Sequence, residues 1–190
     1  KKGYQMTKKL LEIERKRQLT GNIEELIERL RNIGFELTSN LREIDTYYSR
    51  PDVDFMQTVE CLRIRQRDSF AEVTYKPATT TATHTENNVI IKPETNLPIQ
   101  PEDAATAKQL LTNLGMTQLV EVNKYRRSFQ SSDFPQATVA IDEIKDAGTF
   151  VEVEVLSDDE ASALMMISEL ETKLGLESME IVTRPYRDIC

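Results

Sequence analysis

Charged and apolar residues alternate one by one along several separate stretches of this sequence, and this alternation limits the folds available to it. In the first stretch Glu12, Glu14 and Lys16 take the even positions, whereas Leu11 and Ile13 take odd ones. Successive side chains of a β-strand point to opposite faces, so the spacing predicts a strand with one charged and one apolar face. The pattern recurs further along the chain, with the charged members Arg63, Arg65, Arg67, Glu72, Lys76, Lys124, Arg126, Glu152 and Glu154.

About eight stretches are predicted as strands, and three stretches of helical periodicity interrupt them. Strands are expected over 10–19, 36–49, 61–67, 70–76, 83–92, 118–129, 137–145 and 150–156. Helices are expected over 22–33, 101–114 and 158–174, and a glycine follows each of them. Neighbouring antiparallel strands with few helices favour an α+β fold. We expect an eight-stranded closed antiparallel β-barrel, a tunnel, with helices packed outside and one domain over residues 1–190.

The charged strand faces have two possible explanations. They could simply face water, as one face of an antiparallel sheet commonly does. Alternatively, the helices cover the apolar side from outside, and the charged faces of the curved sheet point together into a lumen. Such a lumen would place Glu and Asp beside Arg and Lys, where unpaired charge is costly. An anionic ligand that brings divalent cations would satisfy both groups, because carboxylates bind hard metals and Arg and Lys bind phosphate.

Composition narrows the possible classes of function. The net charge of −8 argues against a general nucleic-acid binder, which needs a basic face. No apolar run is long enough for a membrane helix, and the first residues show no signal peptide, so we expect a cytoplasmic protein. Cys61 and Cys190 are expected to be reduced thiols, and the single histidine, His84, offers no zinc ligand set.

Motifs spread over nearly the whole chain resemble those of the CYTH superfamily, the triphosphate tunnel metalloenzymes. The first is Glu-x-Glu-x-Lys at 12–16. The others follow in the family's order: Asp-Thr-Tyr-Tyr at 45–48, Leu-Arg-Ile-Arg at 62–65, Glu-Val-Thr-Tyr-Lys at 72–76, Lys-Tyr-Arg-Arg at 124–127, Ala-Ile-Asp-Glu at 140–143 and Gly-Thr-Phe-Val-Glu-Val-Glu at 148–154. The segments at 45–48 and 148–154 are most similar to the class IV adenylate cyclase branch.

The resemblance implies an Mg²⁺- or Mn²⁺-dependent enzyme whose substrate is a small-molecule triphosphate: ATP, thiamine triphosphate or tripolyphosphate. The implied metal ligands are Glu12, Glu14, Glu152 and Glu154, with Asp142 as a further candidate. The implied phosphate-binding residues are Lys16, Arg63, Arg65, Lys76, Lys124 and Arg126, and among them Lys16, Lys76 and Arg126 are the catalytic candidates. A homodimer is possible, and neither a nucleic-acid partner nor a membrane is expected.

The resemblance leaves the reaction open. A cyclase would let the 3′ hydroxyl of ATP attack the α-phosphorus, whereas a thiamine-triphosphate or inorganic triphosphate hydrolase would direct water to the γ-phosphorus. A non-catalytic binder of nucleotide or polyphosphate is a third alternative. Adenylate cyclase is our first expectation. The fifth predicted strand departs from the expected pattern, because only Glu86 and Lys92 are charged in the segment 86–92.

Overall fold

A computed structural model describes residues 11–78, 90–91 and 93–190. Its strands form one antiparallel sheet in the order β5-β1-β9-β8-β7-β2-β3-β4-β6. The strands are β1 (Leu11–Gln18), β2 (Glu36–Ser49), β3 (Cys61–Arg67), β4 (Phe70–Lys76), β5 (Ile90–Ile91), β6 (Thr95–Ile99), β7 (Thr117–Gln130), β8 (Ala137–Ile144) and β9 (Gly148–Ser157). The helices are α1 (Ile23–Asn32), α2 (Phe55–Thr58), α3 (Ala104–Asn113) and α4 (Glu160–Leu174), with 3₁₀ turns at Pro101–Asp103 and Tyr186–Asp188.

The sheet curls strongly on itself. Strands β1 and β4 lie six places apart in the sheet order, which in a flat sheet would separate them by about 29 Å. Yet Nζ of Lys76 on β4 lies 3.6 Å from a carboxylate oxygen of Glu12 on β1. Only a sheet rolled around a central space allows this contact.

The roll is not closed by hydrogen bonds within the described residues. The order ends at β5 on one edge and β6 on the other, and no pairing joins these two strands. Where one strand was predicted over 83–92, two short strands stand at 90–91 and 95–99. Strand β5 pairs with β1 and strand β6 pairs with β4, at opposite edges of the curled sheet. The antiparallel sheet and its curl are therefore confirmed, but the expected closed ring of eight strands is replaced here by an open, curled sheet. Residues 83–89 and 92 of the predicted strand lie outside the described residues.

Helices α1 and α4 cover the outer, apolar face of the sheet. Asn22 caps α1 by accepting a hydrogen bond from the Glu24 amide, and α4 ends at Gly175, whose φ of 69° suits glycine. Together with the apolar faces of β1, β8 and β9 they form the main core, whose fully buried members include Ile13, Leu30, Val139, Ile141, Val153, Ile167, Leu170 and Leu174.

The apolar side of β3 and β4 is covered separately by α3. Leu62 and Ile64 pack there with Ala104 and Leu111. The predicted helices are thus confirmed to within a few residues at their ends, while the short helix α2 was not predicted. Among the described residues, no helix has the length and apolar character needed to cross a bilayer.

An ion-pair network fastens β1 to α4 on the outer face. Glu171 of α4 is 2% exposed and receives hydrogen bonds from Arg15 at 2.8 Å and from Arg17 at 2.6 Å. Both arginines stand at odd positions of β1, on the face opposite to the charged lumen side. Since buried charges need their partners, Glu171 couples the helix to the strand that carries Glu12 and Glu14.

Replacing Glu171 with Gln should lower the free energy of unfolding by about 3 kcal/mol, because two buried guanidinium groups lose their shared carboxylate. Chemical denaturation measures the change. Glu169→Gln is the matched control, since its side chain on the same helix is 54% exposed and its pair with Lys173 lies at 3.6 Å. That control should change stability by less than about 0.5 kcal/mol. Equal effects of the two substitutions would contradict the assigned role of Glu171.

Candidate active site

The charged faces of the strands meet in one cavity of about 320 Å³ inside the curled sheet. This supports the lumen and argues against charged faces that simply face water. All the predicted site residues except Asp142 line the cavity: Glu12, Glu14, Lys16, Arg63, Arg65, Lys76, Lys124, Arg126, Glu152 and Glu154.

Three carboxylates form a compact group at one part of the cavity, which we call the acidic triad: Glu12, Glu14 and Glu154. One oxygen from each lies within 4.8 Å of the others. The β1–β9 register explains this, because Glu14 stands directly opposite Glu154, and Glu12 precedes Glu14 by one full strand repeat.

Burial, and to a lesser extent the neighbouring carboxylates, raise the pKa of two members of the triad, to about 7 for Glu12 and to about 8 for Glu154. Three carboxylate oxygens this close together fit a hard divalent cation such as Mg²⁺ or Mn²⁺. The donor set therefore suits the cofactor expected from the sequence.

Glu152, the fourth predicted metal ligand, makes a different contact. It accepts a short hydrogen bond from Arg126 and stands opposite Lys16 across the β1–β9 ladder. Burial alone would raise its pKa, but Arg126 and Lys16 outweigh burial and hold that pKa at about 2. Glu152 is thus an ionised partner of the cations rather than a member of the triad.

Asp142 lies behind the cavity wall and is fully buried. Its Oδ1 accepts from Nε of Arg126 at 2.6 Å, and its Oδ2 accepts from the hydroxyl of Tyr186 at 2.7 Å. The structure therefore does not bring Asp142 to the triad. Asp142 instead fixes the orientation of Arg126, which lines the cavity.

Three of the six basic residues are held by buried carboxylates. Arg65 makes two hydrogen bonds to Asp45, each of 2.7 Å, and Nζ of Lys124 lies 3.1 Å from Glu43. Burial would raise the pKa of Glu43, but Arg65 and Lys124 lower it to about 2. Burial and the neighbouring Arg126 lower the pKa of Lys124. Together with Arg126 on Asp142 and Glu152, these residues form a rigid cationic wall.

The other three basic residues make longer ion pairs or, in the case of Lys16, a backbone contact. Arg63 reaches Asp45 only at 3.9 Å and Glu94 at 3.6 Å, and Lys76 lies 3.6 Å from Glu12 and from Glu94. The long ion pairs of Arg63 and Lys76 can be exchanged for phosphate oxygens. Lys16 is held more closely, because it donates to the backbone carbonyl of Arg184 at 2.7 Å.

Several residues in the cavity wall or buried behind it were not predicted from the sequence. Glu43 and Asp45 share the inward parity of β2, and Asp45 even lies in the Asp-Thr-Tyr-Tyr motif, so their pattern could have identified them. Glu94 does not belong to a stretch in which charged and apolar residues alternate. Tyr186 lies in the tail after the last predicted helix, and only the fold shows that it reaches the cavity.

The carboxyl-terminal tail, residues 180–190, covers one end of the curled sheet. It crosses β1, where the amide of Val182 donates to the Lys16 carbonyl at 2.8 Å. It continues over the ends of β2, β3 and β7, and Arg187 donates to the carbonyls of Phe55 and Glu60. Thr183, Pro185 and Tyr186 line the cavity. The tail therefore covers the cavity on the side of Lys16 and Lys124.

A curled antiparallel sheet with carboxylates and cations on its inner face defines a class of tunnel proteins that process phosphates. Residues 10–186 match the CYTH domain family, and the chain belongs to that family. Its members are adenylate cyclases or triphosphatases that work with metal ions in a tunnel.

Known proteins similar to this chain agree with that assignment. A protein of Methanocaldococcus jannaschii with a provisional adenylate cyclase name is 26% identical over 167 residues, which cover 86% of this chain and 90% of that protein. A conserved hypothetical protein from Pyrococcus furiosus has a solved structure with a TM-score of 0.77 at 23% identity, over 94% of this chain and 99% of that one. A provisionally named adenylyl cyclase from Hippeastrum, described as having a dominant triphosphatase activity, gives 0.62 at 14% identity, over 87% and 88%. At these identities the two structures show the shared fold alone.

The raised pKa values of Glu12 and Glu154 predict how metal binding and stability depend on pH. Unfolded glutamates lose their protons near pH 4.5, whereas Glu12 and Glu154 in the fold keep theirs to about pH 7 and 8. The folded metal-free protein therefore binds more protons than the unfolded chain between these values, so its stability falls as pH rises through this window. A metal must displace the same protons, so Mn²⁺ affinity should rise by at least about tenfold from pH 6 to pH 8.

Calorimetric titration with Mn²⁺ in two buffers of different ionisation enthalpy measures both the affinity and the proton release. Glu154→Gln should weaken binding, flatten its pH dependence and raise the melting temperature of the metal-free protein at pH 8. Glu28→Gln, an exposed change on α1, is the control and should alter none of these. An affinity independent of pH would show that the triad is not the metal site.

Proposed function

We propose that this chain is an Mg²⁺- or Mn²⁺-dependent enzyme that binds a triphosphate inside the curled sheet and cleaves or cyclises it. One observation carries the proposal: the acidic triad and the basic residues line the same 320 Å³ cavity. Glu12, Glu14 and Glu154 would hold the metal. When bound, the metal would neutralise phosphate oxygens and stabilise charge on the leaving group.

The chain's own residues would position the triphosphate from the opposite side. Arg65, Lys124 and Arg126 supply a fixed positive potential, because buried carboxylates hold them in place. Arg63 and Lys76 have long ion pairs that they can exchange for phosphate oxygens, and Lys16 is held beside them by the Arg184 carbonyl. We assign the catalytic roles to Lys16, Lys76 and Arg126, which lie close to the acidic residues. Phosphoryl chemistry depends mainly on such positioning and charge.

Cyclisation of ATP is the first proposed reaction, and the similarity to the provisionally named cyclase over most of both chains supports it. The 3′ oxygen would bond to the α-phosphorus, the bond to the β-phosphate oxygen would break, and pyrophosphate would leave. The proton of the hydroxyl would pass to a carboxylate or a lysine, since no histidine lines the cavity among the described residues.

Triphosphate hydrolysis is the second candidate, and one observation favours it. In the described part of the chain the cavity lining is largely charged, and its few apolar or aromatic members are Tyr47, Val59, Cys61, Pro185 and Tyr186. Such a lining suits a phosphate chain better than a purine, which needs apolar contact. The Hippeastrum protein of the same fold, described as a triphosphatase, gives this candidate a precedent.

A product assay separates the two reactions. Purified protein with Mn²⁺ and ATP should yield cyclic AMP and pyrophosphate if it cyclises, or ADP and phosphate if it hydrolyses. Glu14→Gln should abolish either turnover while the fold stays intact. Thiamine triphosphate and tripolyphosphate extend the assay. A protein that binds these compounds tightly but converts none of them would be a non-catalytic binder, contrary to the proposal.

The two groups of cations predict different mutant behaviour. Arg63→Ala should weaken binding of a non-hydrolysable ATP analogue by about 1.5–3 kcal/mol with little loss of stability, because its own ion pairs are long. Arg126→Ala should weaken binding similarly and also destabilise the fold, since it leaves Asp142 and Glu152 without their guanidinium. Calorimetry and thermal melting measure the two effects.

Arg31→Ala, an exposed change on α1, provides the control and should affect neither quantity. If Arg63→Ala binds the analogue as tightly as the unaltered protein, the triphosphate does not contact Arg63. The homodimer and the cytoplasmic location remain predictions from the sequence.

A further inference from the structure

Tyr186 reaches the inner cavity from the carboxyl-terminal tail rather than from a strand. Its side chain is 5% exposed, and its ring meets Phe150 edge to face, with centroids 5.3 Å apart and planes at 64°. Such aromatic pairs hold a ring in one orientation. The tyrosine is therefore fixed in the wall next to the basic residues.

The face of this ring contacts two of the phosphate-binding candidates. Nζ of Lys16 lies 4.2 Å from the ring centroid, and Nζ of Lys124 lies 5.0 Å from it. A ring face attracts cations, most strongly where water is excluded, so one ring offsets part of the repulsion between two buried ammonium groups. Without it, the lysines would have to move apart or toward the carboxylates.

The hydroxyl of Tyr186 binds Asp142, the carboxylate that holds a third cation, Arg126. It donates to Oδ2 of Asp142 at 2.7 Å. Arg126 donates to both oxygens of the same carboxylate, through Nε to Oδ1 at 2.6 Å and through Nη2 to Oδ2. The hydroxyl is thus a further donor on the carboxylate that holds the guanidinium, and it helps to keep this pair in one orientation.

We infer that Tyr186 is a positioning residue that holds Lys16, Lys124 and, through Asp142, Arg126 in the arrangement required by the phosphate chain. This inference rests on the proposed function and deepens it. It assigns a role to the tail beyond covering the end of the sheet. The distances of both lysines to one ring, combined with the hydrogen bond to Asp142, carry it.

A purely structural role for Tyr186 makes a different prediction. The ring packs with Tyr47, Val122 and Ile144, so any large apolar side chain could fill this space. Phenylalanine would keep both the packing and the ring face and remove only the hydroxyl. Leucine would keep apolar packing and remove both electrostatic contacts.

The test uses the full chain and two separate probes. Inorganic tripolyphosphate, titrated calorimetrically without divalent cations, reports on the basic residues. Mn²⁺ alone reports on the acidic triad, which Tyr186 does not contact among the described residues. The variants are Tyr186→Phe and Tyr186→Leu. Tyr48→Phe is the matched control, because Tyr48 is equally buried and lies outside the cavity lining. Its hydroxyl has no hydrogen-bond partner in the part of the chain that the structure describes.

Tyr186→Phe should weaken tripolyphosphate binding by roughly five- to tenfold, because the lost hydrogen bond is to Asp142 and acts on the ligand only in part, through Arg126. Tyr186→Leu should weaken it by roughly 10- to 50-fold, because the cation–π contacts are lost as well. In both variants Mn²⁺ affinity should stay unchanged, and Tyr48→Phe should match the unaltered protein with both probes.

Three results would overturn the inference. If both Tyr186 variants bind tripolyphosphate as tightly as the unaltered protein, Tyr186 only fills space. If the affinities for tripolyphosphate and Mn²⁺ fall together, the change disturbs the whole cavity and no positioning role remains. If the unaltered protein itself fails to bind tripolyphosphate, the proposed function fails first, and the inference falls with it.

Discussion

Burying charge on the inner face of the sheet is the constraint on which this structure depends. Buried ions are costly unless partners stand beside them, and here the strand register supplies those partners. Asp45 is the cross-strand neighbour of Arg65, and Asp142 that of Arg126. Glu43 stands opposite Lys124 in the same way. A shift of one residue in any of these ladders would separate the pairs and turn charges into the apolar core. The same pairing therefore specifies the register and builds the cationic wall.

The acidic triad breaks this rule. Glu14 stands opposite Glu154, so like charges face each other across β1 and β9, an arrangement that destabilises a sheet. The neighbouring cation offsets this repulsion only weakly, because Nζ of Lys76 lies 3.6 Å from Glu12, beyond hydrogen-bond distance. Proteins keep such local conflicts mainly at functional sites. The contrast between this like-charged pair and the oppositely charged pairs elsewhere in the same sheet supports the proposal that the triad binds a metal.

The sequence predicts much of this fold because alternation and helix stops are local. The parity of Glu12, Glu14, Lys16 and Glu154 correctly placed them on one inner face. Closure of the sheet was not predictable in the same way, since it depends on where the short strands after β4 pair. Nor could alternation reveal that Asp142 pairs with Arg126, because that needs the β7–β8 register. Tyr186 has no periodic context, so its contact with the lysines appears only once the tail is folded over the strand ends.

The division of the cations into fixed and adjustable groups bears on why one fold can serve two reactions. The fixed group, with Arg65, Lys124 and Arg126 on buried carboxylates, gives the cavity a positive potential that any phosphate chain would meet. Nothing in that potential distinguishes the α-phosphorus from the γ-phosphorus. The choice must depend on where the nucleophile is held, and a ribose hydroxyl is held only if the base is held too. Because the end beside Lys16 and Lys124 is covered by the tail, a nucleoside would have to lie toward the other end, nearer Glu12. For the proposed function, the reaction would thus depend on contacts near Glu12, whereas the inner charges would bind the triphosphate itself.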